Sequence, residues 1–156
     1  MTGRPLTFDY ARLTGSGEAG VPFSSHVGVQ IDSAGPEGAV ARLDPAAHTL
    51  NHVGSLHGGA LFSVAAAAAG AAVSGALAPD MDGYLCVARR AEIDFLRIAH
   101  GALTARATLA GSGAEVLAAA ADTGAAGFRT ETAVLDASDR EVAHLTLHWE
   151  LRRPRT

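Results

Sequence analysis

His57-Gly-Gly-Ala-Leu-Phe-Ser-Val-Ala-Ala-Ala-Ala-Ala-Gly-Ala-Ala-Val-Ser-Gly-Ala-Leu77 is the stretch on which the fold turns. Leu61, Phe62, Val64, Val73 and Leu77 stand among small residues in a helical pattern, and Pro79 stops it. The segment predicts one long helix, from His57 to about Leu77. It is weakly polar from Gly58 to Pro79, but Ser63 and Ser74 interrupt it and its Ala and Gly gain little on transfer to lipid, so no membrane span is expected. Large side chains would hold a neighbouring sheet away from such a helix. Alanine lets a curved sheet close tightly around it.

The flanking segments supply that sheet. Val27 to Asp32 and Gly38 to Leu43 read as two strands of a hairpin, joined through a Gly-Pro turn. Asp44 to Ser55 has no sustained period and reads as a polar loop. After the helix come strands at Tyr84 to Arg97, Ala102 to Leu109, Gly127 to Leu135 and from Val142 to Leu151, with a short helix at Ala114 to Ala121 that Gly124 ends. Asp136 to Asp139 is a turn. The last strand alternates most cleanly: Ala143, Leu145, Leu147, Trp149 and Leu151 on one face, His144, Thr146, His148 and Glu150 on the other. Short connections between consecutive strands imply an antiparallel sheet. The expected fold class is α+β, with that sheet wrapped around one long central helix over residues 27–152. Residues 1–26 read as an irregular segment with a short helix around Phe8 to Leu13.

At 156 residues one domain is the default. Alanine and the 18 glycines make up a third of the chain, and every one of the 12 basic residues is arginine. That skew is a background of composition rather than a functional signal. The net charge of −4, with arginines scattered except for Arg152, Arg153 and Arg155, argues against nucleic acid as a partner. The single cysteine, Cys86, can form no internal disulfide, and the first residues have no apolar run of signal-peptide length; a cytoplasmic location is expected. His48, His52 and His57 lie in a loop without Cys or Glu at ligand spacing, so no metal is expected. His144 and His148 read as ordinary polar residues of an outer sheet face.

Chemistry concentrates at Asn51-His-Val-Gly-Ser-Leu-His-Gly-Gly59, just before the long helix. Two glycines there let another molecule approach the backbone, and first-turn amides point outward with the positive end of the helix dipole. Such a site polarises a carbonyl and stabilises the oxyanion formed on nucleophilic addition.

Asn51, the run His57-Gly58-Gly59-Ala60-Leu61-Phe62-Ser63, and Ile93-Asp94-Phe95-Leu96-Arg97 followed by Gly101 resemble the hotdog-fold thioesterases of the phenylacetic-acid-pathway (PaaI-like) type, over roughly Val27 to Leu151. The resemblance implies a hotdog fold and hydrolysis of an acyl thioester, usually of coenzyme A, at a site between the subunits of a homodimer or homotetramer. It implies no cofactor beyond coenzyme A as part of the substrate, with an acyl carrier protein thioester as the other form. By position, the amide beside Gly58-Gly59 would hold the thioester oxygen, His57 would support the turn, and Asn51 would hold the attacking water or the carbonyl. His52, Phe62, Ser63, Arg89 and Arg90 are the expected substrate-binding residues; Arg89, Arg90, Arg106 and Arg129 suit coenzyme A phosphates or a charged surface.

The sequence departs from the family in one position that matters. A family carboxylate, general base or nucleophile, stands nine residues after the histidine, and here that position is Ala66. A Ser or Thr found in some relatives near the start of the long strand is Ala88. Nine helical residues rise about 13.5 Å and turn about 900°, so position 66 faces away from His57 and could meet only the His57 site of another subunit. Three readings stay open: a thioesterase whose base comes from elsewhere, with His52, Asp82, His57 and Asp94 as candidates; hydration or dehydration of an acyl thioester; or binding without turnover. Asp94 has the strand parity of an outward, solvated side chain.

Overall fold

The structure is a computed structural model that describes residues 21–78 and 80–154. The helix expected at Phe8 to Leu13, the stop at Pro79 and Arg155 lie outside the described residues. The chain opens with helix α1 (Pro22–Val27) and the hairpin β1 (Gln30–Gly35) and β2 (Gly38–Leu43). A short 3-10 turn (Ala47–Thr49) leads to the long helix α2 (Gly58–Leu77). Then follow β3 (Leu85–Phe95), β4 (Leu103–Leu109), helix α3 (Gly113–Thr123), β5 (Ala125–Leu135) and β6 (Glu141–Arg152).

The first strand departs furthest from the sequence reading, and the long strand expected at Tyr84 to Arg97 runs only from Leu85 to Phe95. The expected strand from Val27 begins only at Gln30, because Pro22 starts a helix at its first position and Gly28 ends it. Gly28 has φ 96° and its N–H donates to the carbonyls of Ser24 and Ser25, a left-handed cap that a side chain would strain.

The six strands form one antiparallel sheet in the order β1-β2-β4-β5-β6-β3, and α2 packs across β1, β2, β4, β5 and β6. This is the hotdog arrangement, α+β, that the alternating strands and single long helix imply. Ala65, Ala68, Ala69 and Ala72 of α2 are fully buried against Leu43, Leu103, Val134 and Leu145 of the sheet. The approach is as close as the small residues allow. A Cβ on Gly75 would stand 2.5 Å from the backbone of Gly35, and one on Gly113 would stand 2.1 Å from the Ala76 carbonyl oxygen. Although α2 is long and apolar enough to cross a membrane, 67% of its most apolar 18-residue window is buried, as in a core helix.

A second apolar cluster joins the C-terminal end of α2 to α3: Val73, Leu77, Val116, Ala120, Ala126 and Leu151. Helix α3 has a reciprocal capping box at Ser112 and Glu115 and a left-handed Gly124 at its end. Strand β3 is different. It pairs only with β6 among the described residues, carries a bulge between Ala88 and Arg90, and is mostly exposed on both faces.

Candidate functional site

The loop ahead of α2 is shaped by its own hydrogen bonds. The His57 N–H donates to the Thr49 carbonyl (2.9 Å), and Leu50 and Leu56 form an antiparallel bridge that closes the loop. Asn51 fills it. Its Oδ1 accepts the N–H groups of Val53 (3.0 Å) and Ser55 (3.1 Å), and its Nδ2 donates to Ser55 Oγ (2.8 Å). Gly54 turns the loop with φ 77°. Asn51 therefore acts as the scaffold of this loop, with one Nδ2 hydrogen uncommitted among the described residues. His52 and Val53 stand exposed on its rim.

His57 is the N-cap of α2, and its Nδ1 accepts the Gly59 N–H at 2.8 Å. Accepting that bond fixes Nδ1 as unprotonated and puts the proton of the neutral ring on Nε2. The Ala60 and Leu61 amides donate to the His57 carbonyl (2.8 and 3.1 Å). Of the first-turn amides, the Gly58 N–H alone has no acceptor among the described residues. The donor expected beside Gly58-Gly59 thus narrows to Gly58, since Gly59 serves the cap.

Phe95, the last residue of β3, lies over this point. A Cβ on Gly58 would stand 3.2 Å from Phe95 Cε1 and 3.3 Å from Cζ, so the ring rests on the glycine's bare Cα. Phe95 is also 58% exposed. Phe62 follows Gly58 by one turn on the same side of α2 and is likewise exposed. Phe95 was legible only as part of a motif; its place over Gly58 comes from where β3 ends.

The other expected residues are placed unevenly. Ser63 is buried and its Oγ donates to the Gly59 carbonyl (2.7 Å), so its hydroxyl is tied into the helix rather than offered to a ligand. Arg89 is the bulged residue of β3. Arg90 lies opposite His148 on the outer face, beside Glu92 (3.4 Å), and is not brought to the head of α2. Ala66 is half-buried along α2, and Asp94 is exposed opposite His144 on the outer face, as its parity implies. Burial pushes the Cys86 thiol up to about 12, so it is no nucleophile near neutral pH.

Titratable groups gather on the outer face instead. His144 lies between Glu141 (Nδ1 to Oε1, 2.8 Å) and Glu131 (Nε2 to Oε2, 3.1 Å), and Thr146 donates to the same Glu131 oxygen (2.7 Å). The hydrogen bond to Glu141, helped by Glu131, raises the His144 pKa against the opposing effect of burial. Burial opposes ionisation of Glu131, but the bonds from Thr146 and His144 outweigh it and hold that carboxyl below its ordinary value. These groups stabilise the sheet and face away from α2.

Solved structures share this architecture. PA5026 of Pseudomonas aeruginosa, a protein of unknown function described as "Probable Thioesterase", superposes with a TM-score of 0.77 at 23% identity, over 86% of this chain and 89% of that one. AziG of S. sahachiroi matches at 28% identity and a TM-score of 0.66, over 86% and 98%. The E. coli PaaI protein of the phenylacetic acid degradation operon matches at 26% identity and a TM-score of 0.59, over 83% and 86%. No curated protein matches the chain by sequence. The model of the family described as "Domain of unknown function (DUF4442)" matches residues 16–151, from before α1 almost to the end of β6. The chain is a hotdog-fold member of the DUF4442 family.

Proposed function

We propose that the chain binds an acyl thioester, of coenzyme A in the first instance, with the thioester oxygen on the Gly58 N–H at the head of α2, and that it hydrolyses this thioester slowly. The observation that carries the reading is that unpartnered amide at the positive end of a 20-residue helix, on a glycine whose Cα lies under the Phe95 ring. The fold shared with proteins described as thioesterases, and the likeness to PaaI, support it. His57 holds the turn by capping Gly59. Asn51 holds the loop and has one N–H left to orient a water or the carbonyl.

The site takes a second copy of the chain. Strand β3 has a free edge and an exposed helix-facing side at Ala88 and Ala91, which suit antiparallel pairing with its own copy about a two-fold axis. That pairing turns position 66 of one helix toward the Gly58 site of the other. Where relatives would supply a carboxylate, this chain supplies Ala66, and α2 carries no ionisable side chain at all. General-base assistance is typically worth 10²–10⁴-fold, so polarisation survives while water activation suffers. A cytoplasmic setting fits a coenzyme A thioester.

Ala66 also favours a second reading, binding without turnover. A panel of short, medium and aryl acyl-CoAs assayed with a thiol reagent, beside calorimetry with a non-hydrolysable acyl-CoA, separates the two. Slow turnover with binding supports the first reading, and binding alone the second. Neither binding nor turnover with any acyl carrier would overturn both.

A further inference from the structure

Strand pairing brings several chain segments to one end of the molecule. Leu43 ends β2 opposite Leu103 at the start of β4, Thr104 faces Leu135 at the end of β5, and Ala143 near the start of β6 faces Phe95 at the end of β3. Helix α1 joins that end through Gly28, where a Cβ would stand 3.7 Å from Leu43, and α2 joins it through Gly58 under Phe95. Every large apolar side chain exposed among the described residues stands here. Phe23 of α1 is 65% exposed, Val53 of the loop ahead of α2 is 68% exposed and Ile98 after β3 is 64% exposed. Leu50, Phe62 and Leu96 are exposed as well. The rings of His26 in α1 and His48 in the loop, with centroids 6.3 Å apart, bring α1 and the loop together. An exposed apolar surface of this extent marks a contact site.

A second copy paired through β3 meets only one side of it. Four strand spacings, about 20 Å, separate β3 from β2 and the α1 side. An anionic lipid surface is poorly matched too. The arginines at this end are already held: Arg42 by Asp32, Arg97 through Nη1 donating to the Glu141 carbonyl (2.6 Å), and Arg140 by Asp136. Asp44 and Asp94 are exposed carboxylates at the same end. The chain itself supplies an occupant. Val21, the first described residue, is exposed at this end, so the residues ahead of it start at the surface they would cover. They include Leu6, Phe8, Tyr10 and Leu13, all ahead of residue 16, where the match to the family model begins. Twenty residues can span up to about 70 Å, and a tethered segment meets its site at an effective concentration on the order of millimolar. We propose that residues 1–20 cover this end, with Leu6, Phe8, Tyr10 and Leu13 against the exposed side chains of α1, the loop and the end of β3, and so control entry to the Gly58 amide. Control of entry rests on the thioester reading; the cover does not.

The test compares the full-length parent with full-length Phe8→Ser/Leu13→Ser, each confirmed as folded by thermal melts. Anilinonaphthalene sulfonate should fluoresce severalfold more with the variant, because the apolar end is uncovered. A nitroxide on Thr7→Cys, in a Cys86→Ala background, should broaden the amide signals of Leu50, Val53 and Ile98. Adding Phe8→Ser/Leu13→Ser should remove that broadening. Equal dye fluorescence in the two proteins, or a nitroxide that leaves those amides sharp, overturns the proposal. Strong dye binding by the parent that phosphatidylcholine–phosphatidylglycerol vesicles abolish would overturn it in favour of a lipid surface. The variant should also take up a non-hydrolysable acyl-CoA faster than the parent. An uncovered end with no acyl-CoA binding in either protein would count against the thioester reading alone.

Discussion

The ring of Phe95 rests on the Cα of Gly58, joining the free edge strand to the head of the central helix where few other contacts do so. Gly58→Ala should therefore behave differently with and without that ring. Alanine gains up to about 1 kcal/mol over glycine in a helix, but here its methyl meets the ring at 3.2 Å. In the parent the substitution should be destabilising, and in a Phe95→Ala background stabilising. Urea denaturation of the four proteins of this cycle should give a coupling of about 1 kcal/mol. Additive effects would separate the two residues.

His57 acts on stability through its cap. Replacing it by alanine frees the Gly59 N–H and should cost about 1 kcal/mol. His57→Asn restores a good capping acceptor and should recover most of that loss in thermal melts. Equal losses for both variants would show that the imidazole contributes something other than the cap.

Two glycines of α2 should respond in opposite senses. A Cβ on Gly75 would enter the backbone of Gly35, so Gly75→Ala should cost about 1–3 kcal/mol through overpacking. Gly70 has open space around it, and Gly70→Ala should stabilise by up to about 1 kcal/mol. Paired denaturation curves test whether α2 has one packed side and one open side.

Acid stability depends on the β5–β6 turn. Hydrogen bonding from Arg140, with the Ser138 and Arg140 amides adding and burial opposing, brings the Asp136 carboxyl down to about 2. A lowered carboxylate stabilises the fold above its unfolded value near 4, and that stability is lost as pH falls from about 4 to about 2. Asp136→Asn should be less stable than the parent at neutral pH, with the difference shrinking across that window.

His144 works in the other direction. Its raised pKa gives stability that is fully present below about pH 6.5 and lost as pH rises through the folded value. His144→Gln should flatten the stability profile on the alkaline side of pH 6.5. An unchanged profile would mean that the Glu131 and Glu141 contacts carry no charge linkage.

The elements were largely legible because their periods are clean. Alternation from Ala143 to Leu151 gave β6, and an alanine-rich run with no ionisable residue gave α2. The left-handed cap at Gly28 hid α1 within an apparently irregular stretch, since six residues are too few to show a period. Site residues divided by mechanism. Local rules placed His57, Gly58 and Gly59 together, but whether Ser63 bonds backward into its helix, or on which side of the sheet Arg90 falls, depends on rotamer and on the β3 bulge. The contact between Phe95 and Gly58 is a tertiary feature that no spacing along the chain announces.

The central claim is that the Gly58 site is intact and that only the base is missing from the facing helix. The most direct measurement is the turnover of one acyl-CoA by the parent and by Ala66→Asp, both confirmed as folded and able to bind a non-hydrolysable analogue. The variant should turn over about 10²-fold faster or more. Equal rates, with binding intact in both proteins, would contradict the placement of position 66 opposite Gly58.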